Sequence, residues 1–150
     1  MAETFRTEAE LVAELVRCLE EGGADRLTPE CPTVIREFSY ARGRTDLILV
    51  SQSGEIIAVE AKLTRWRTAL IQAYRNTSFA HRSFVVVPWN VAQSAARHEF
   101  EFQRRNVGLC ALKDGIVVSL REAERVEPIE PWLTAKARQM SANHNEGARA

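Results

Sequence analysis

Cysteine is scarce in this chain, and the few it has form no useful pattern. Cys18, Cys31 and Cys110 are odd in number and widely spaced, with no Cys-x-x-Cys pair. That argues against a disulfide framework and against a structural zinc site; the three read as buried or half-buried thiols. Long apolar runs are missing too, and none approaches the roughly 18 residues of a membrane-spanning segment. The opening Met-Ala-Glu-Thr-Phe-Arg lacks the apolar core of a signal peptide. A cytoplasmic protein with no membrane partner is therefore expected. Net charge is absent: 20 basic residues cancel 20 acidic ones. This speaks against a broad nucleic-acid platform but leaves room for a local basic groove. There is no internal repeat and no low-complexity linker. What is present, 45% hydrophobic and 27% charged residues in 150, suits one soluble domain with an adequate core. That domain is expected over residues 1–140, with a small, polar tail over 141–150 expected to be disordered.

Periodicity gives the organisation. Leu11, Val12, Leu15, Val16 and Leu19 recur at helical spacing within 7–21. Thr7 with Glu10 forms a capping box, and Gly22-Gly23 ends the helix. The apolar stripe centres near the direction of Glu8, which is thus the acid of the first turn that faces inward. A loop over 24–32 leads to a strand over 33–40 and a turn at 41–44. Two apolar runs, 46–50 and 55–62, flank a polar turn with Gly54 and read as a hairpin. A helix over 64–77 carries Trp66, Ala69, Leu70 and Ala73 on one stripe, with Gln72 on its flank. A buried strand at 83–87 is closed by Pro88, and Asn90 caps a helix over 91–105. Asp114-Gly115 turns a second hairpin, 108–112 with 116–120. Pro131-Trp132-Leu133 opens a short helical segment. The order α-β-β-β-α-β-α-β-β makes a mixed sheet with helices on it.

The chemistry concentrates at Glu60-Ala61-Lys62, fourteen residues after Asp46. On a strand, residues 60 and 62 share a face. A hairpin that sets Asp46 beside Glu60 gathers two carboxylates and an ammonium, a grouping able to hold a divalent cation and orient a water. Basic residues surround it: Arg36, Arg42, Arg44, Arg65, Arg67, Arg75 and Arg82. Each feature also has a plainer reading. Glu8 suits a helix start electrostatically, Gln72 is acceptable as a surface amide, and Arg42 and Arg44 as solvated turn residues. His81 and His98 read as packing or surface residues rather than bases, and Trp66 and Phe102 as core.

Asp46 with Glu60-Ala61-Lys62, in that element order, resembles the PD-(D/E)xK, or restriction-endonuclease-like, nuclease superfamily. Glu8-Ala-Glu-Leu11-Val12 is similar to the first helix of small Holliday-junction-resolvase-like members, and Gln72 matches a glutamine many members carry after the lysine. The likeness spans residues 7–88. Thr45 stands where the motif has proline, and Asn76 where a tyrosine often follows the glutamine. The resemblance implies an αβββαβ core, here with an extra C-terminal hairpin. It implies an endonuclease hydrolysing phosphodiester bonds, of DNA rather than RNA, with Mg²⁺ or Mn²⁺ as cofactor. Asp46, Glu60, the Ala61 carbonyl and Glu8 would serve the metal, and Lys62 would position or activate water. Gln72 would bond the lysine or the substrate backbone. Arg42, Arg44, Arg65, Arg67 and Arg75 would bind nucleic acid. A homodimer is expected, joined through the second hairpin or the 91–105 helix. The alternatives are a nuclease-fold module that binds nucleic acid or protein without turnover, and an immunity-type partner protein.

Overall fold

The computed structural model describes residues 5–22, 27 and 32–149, the last five by their backbone alone. Cys31 and most of the 24–32 loop lie outside the described residues. Helix α1 (Glu8–Glu20) starts where the capping box requires: Thr7 Oγ1 accepts from the Glu10 N–H at 3.1 Å. The Glu10 carboxylate in turn accepts from the Arg6 N–H. Strands β1 (Thr33–Tyr40), β2 (Gly43–Val50) and β3 (Ile56–Ala61) come next as an antiparallel meander. Helix α2 (Trp66–Asn76) then crosses to β4 (Arg82–Pro88), which lies parallel to β3. Helices α3 (Trp89–Ala96) and α4 (Glu99–Gln103) return to β5 (Gly108–Lys113), parallel to β4. Strand β6 (Ile116–Arg121) closes an antiparallel hairpin, and α5 (Pro131–Arg149) ends the described chain. The sheet order is β1-β2-β3-β4-β5-β6. This is the αβββαβ core that was expected, with its added hairpin.

The central strands are apolar at nearly every position because both faces are covered. Leu47, Leu49, Val59, Phe84 and Val86 pack under Leu11 and Leu15 of α1. Val85 and Val87 meet Trp66, Ala69 and Ala73 of α2 on the opposite face, beside Ala92, Ala95 and Phe102. Farther along that face, Ile48, Val50, Ile56 and Ala58 pack with Phe79 and Ala137 of α5. Each fully buried Leu or Phe contributes about 1.5–3 kcal/mol of transfer free energy.

Three expectations change. The helix expected over 91–105 is two helices. The segment opened by Pro131, expected to be short, is a helix of 19 residues, Pro131–Arg149. Ala137 and Ser141 of this helix are buried against the body of the protein. Strand β2 begins at Gly43, inside the expected turn, because Tyr40↔Gly43 still pair. Among the described residues, no helix is long and apolar enough to cross a membrane.

Candidate active site at the ends of β2 and β3

Strand β1 turns over in its middle. Glu37 has φ +60°, a left-handed conformation uncommon for a residue with a side chain. Ile35 and Phe38, three apart, consequently pack into the same cluster. Phe38 pairs with Thr45, and the regular β2–β3 register stops at Leu47↔Val59. Just beyond that point lie Asp46 and Glu60. The Ala61 N–H donates to Asp46 Oδ2 at 2.8 Å, so a side chain takes over where the ladder ends.

Glu60 is 1% exposed, and one of its two carboxylate oxygens is satisfied: Oε2 accepts from Asn76 Nδ2 at 2.7 Å. Oε1 is buried with no hydrogen-bond partner. Burial, then the negative charge of Asp46 and a proton shared between the two acids push the Glu60 carboxyl up to about 8, against the Asn76 hydrogen bond and Lys62, which favour the anion; Oε1 thus lacks a partner when both acids are ionised. Asn76 is itself 1% exposed, and its Oδ1 accepts from Tyr40 Oη and Thr45 Oγ1, each at 2.8 Å. The two positions where the chain departs from the nuclease pattern, Thr45 and Asn76, thus meet in one hydrogen bond.

Lys62 lies past the end of β3, where strand alternation no longer applies. It does not accompany Glu60 toward α2. Its Nζ is 3.6 Å from Glu8 Oε1 on α1, across the sheet. Glu8 Oε2 also accepts from the Leu63 N–H at 3.3 Å. Glu8 therefore does turn to the site, as the partner of Lys62, with its side chain 46% exposed. Gln72 is half-buried, one helical turn before Asn76 on the same face of α2, and its Oε1 is buried without a donor. Among the described residues, no three His, Cys, Asp or Glu side chains group closely enough to hold an ion by themselves.

An open cleft of about 500 Å³ runs between α1 and the β1–β2 hairpin, lined by Glu8, Ala9, Val12, Arg36, Glu37, Arg44, Asp46 and Ala61. Of the five arginines expected at nucleic acid, only Arg44 lines it. Arg42 is 3.6 Å from Glu130, and its carbonyl accepts from Arg75 Nη1. Arg67 lies 4.2 Å from the Trp66 ring centroid, and Arg65 is exposed where α2 begins. Arg36 joins the cleft although it had been noted only as part of the basic surroundings. Asn76 and Tyr40 were missed as site residues. The signal for Asn76 was its place on the buried stripe of α2, three residues past Ala73. His81 and His98 pack as expected: His81 is buried, and the His98 ring lies 5.1 Å from Trp66. Trp66 and Phe102 belong to the core.

A mixed six-stranded sheet with helices on both faces and two carboxylates at the ends of adjacent central strands defines the class of fold. No protein-family model matches the sequence, and no curated protein matches it. Among solved structures it is similar to a protein of unknown function, SPO1766 of Silicibacter pomeroyi. The TM-score is 0.63 at 21% identity, over 92% of this chain and 85% of that one. It is less similar to Pyrococcus furiosus SfsA in complex with Ca²⁺, with TM-score 0.45 and 15% identity over 77% of this chain and 64% of that one. A repair endonuclease from Pyrococcus abyssi gives TM-score 0.45 and 18% identity over 84% of this chain and 50% of that one. The first likeness is one of fold; the other two are partial.

Proposed function

We propose that the chain is a divalent-metal-dependent endonuclease that hydrolyses phosphodiester bonds, of DNA rather than RNA. The observation that carries this reading is the buried Glu60 Oε1, an acceptor with no donor, beside the carboxylate of Asp46. A buried acceptor left unpaired is costly, and a hard cation satisfies it while removing the repulsion between the two acids. Mg²⁺ or Mn²⁺ suits an all-oxygen donor set and is often held by only one or two carboxylates. Asp46 and Glu60 would hold it, with the Ala61 carbonyl and, through water, Glu8 as further oxygens. When bound, such a cation stabilises developing charge on the phosphate and acidifies a water.

The chain's own groups do the rest. Lys62, half-buried and charge-paired with Glu8, donates toward the attacking water and fixes its approach. Arg44 and Arg36 in the cleft present guanidinium donors to phosphate oxygens. Gln72 Oε1 accepts a hydrogen bond from a water, and its NH₂ donates to the substrate backbone. The lack of a third clustered carboxylate among the described residues favours one other reading, a nuclease-fold module that binds nucleic acid without cutting.

The test is a cleavage panel of duplex, single-stranded and branched DNA and RNA, with Mg²⁺, Mn²⁺ or EDTA. Metal-dependent cutting of a DNA substrate, abolished by EDTA, is expected. Binding without cutting under every condition selects the second reading, and neither binding nor cutting defeats both.

A further inference from the structure

We infer that Asn76 is a positioning residue for Glu60, held in its working orientation by Tyr40 and Thr45, so that Glu60 Oε1 stays free for a cation. The inference rests on the reading of Asp46 and Glu60 as a cation site.

With a cation on Oε1, Glu60 is a carboxylate and only accepts, so the amide face that meets its Oε2 must then be the NH₂. That sets Asn76 Oδ1 toward Tyr40 Oη and Thr45 Oγ1, and both hydroxyls, at 2.8 Å, must donate to it. Burial also raises the Tyr40 phenol above its ordinary value, which keeps its proton in place for that donation. A flip of the amide would set its carbonyl against the Glu60 carboxylate, while the two hydroxyls, able to donate or accept, hold the side chain in place. The network thus fixes the amide, and the amide fixes one oxygen of Glu60. Oε1, the other oxygen, remains the acceptor without a partner.

The three partners come from three separate elements: Tyr40 from the end of β1, Thr45 from β2 and Asn76 from the last turn of α2. Just past the turn-over of β1 at Glu37, Phe38 pairs with Thr45, whose hydroxyl reaches Asn76 on the α2 side of the sheet. The site is therefore assembled by the packing of α2 on the meander, and its cation affinity depends on residues that never touch the cation.

The test is Mn²⁺ affinity by titration calorimetry on the full chain, for wild type, Asn76→Ala, Tyr40→Phe, Thr45→Val and their combinations. Mg²⁺ titration is monitored in parallel by NMR of the Asn76 side-chain amide. Loss of an oriented supporting group is expected to weaken binding about 10–100-fold. Tyr40→Phe and Thr45→Val are each expected to weaken it less, and to add nothing in the Asn76→Ala background. The amide resonances of Asn76 are expected to shift on Mg²⁺ saturation in wild type and to stay fixed in Glu60→Gln. If Asn76→Ala does not fold, the two hydroxyl variants and the amide signature decide the matter. Wild-type binding with unchanged affinity in the variants overturns the role of Asn76 and leaves the cation site standing. Failure of the wild type itself to bind Mn²⁺ or Mg²⁺ overturns the site, and this inference with it.

Discussion

Glu60 and His81 are both buried, and they respond to protons differently. Glu60 is a buried acid beside another acid, so without a cation the pair holds its proton well above the ordinary range. His81 is a buried base: its Nδ1 accepts from the Ile56 N–H at 2.9 Å, which only the neutral ring can do. Burial, then Arg125 and Arg138, lower its pKa below 6.5, while Glu127 and Glu55 oppose them. A lowered histidine contributes stability that is complete above the unfolded value and lost as pH falls through 6.5 and below. Between about pH 7.5 and 5, His81 therefore removes stability on acidification while Glu60, with its raised carboxyl, adds it, so the melting temperature of metal-free His81→Leu is expected to fall less, or rise more, than that of wild type over this range. Equal slopes for the two proteins would remove His81 from the account. Asp46, Glu60, Lys62 and Glu8 were legible because charges at strand ends and helix starts stand out in sequence. Asn76 was not, because its meaning lies in Tyr40 and Thr45, separated from it by 36 and 31 residues. Read alone, it was a departure from a pattern.

Elements obeyed local signals closely where turn chemistry spoke. Asp114 and Gly115 take φ 51° and 78°, the paired positive values that an Asp-Gly hairpin turn needs. The break between α3 and α4 had no such signal, since no Pro or Gly marks it. There the N–H groups of Arg97 and His98 reach back three residues, to Ser94 and Ala95, tightening the last turn. Tertiary packing then sets the course of α4: His98 and Phe102 both close on Trp66. The β4–β5 pairing rests on a close approach at Gly108, where an added Cβ would lie 2.4 Å from the Phe84 ring. Phe84 is fully buried and pairs directly with Gly108. Gly108→Ala is expected to cost about 1–3 kcal/mol through forced repacking, read as a lower urea midpoint with an unchanged m-value. A midpoint within error of wild type would show that the ring can yield.

Seen whole, the molecule is a sheet with α1 on one face and α2 through α5 on the other, and the candidate site lies where those layers meet the ends of β2 and β3. Glu60 is held from the α2 side, and Lys62 is engaged from the α1 side. That helices flank a mixed sheet was readable from hydrophobic periodicity. The division of the charged triplet between the two layers was not, because a pattern of two residues per repeat holds only while the strand lasts, and β3 ends at Ala61. At this junction we propose metal-dependent phosphodiester cleavage. The most direct measurement is the single-turnover cleavage rate, with Mn²⁺, of folded Asp46→Asn and Lys62→Ala beside wild type, on the DNA substrate the wild type cuts best. Loss of at least about 100-fold in each is expected: Lys62→Ala removes the group positioned on the attacking water, and Asp46→Asn removes one of the two carboxylates that hold the cation. Rates equal to wild type in either variant would contradict the claim.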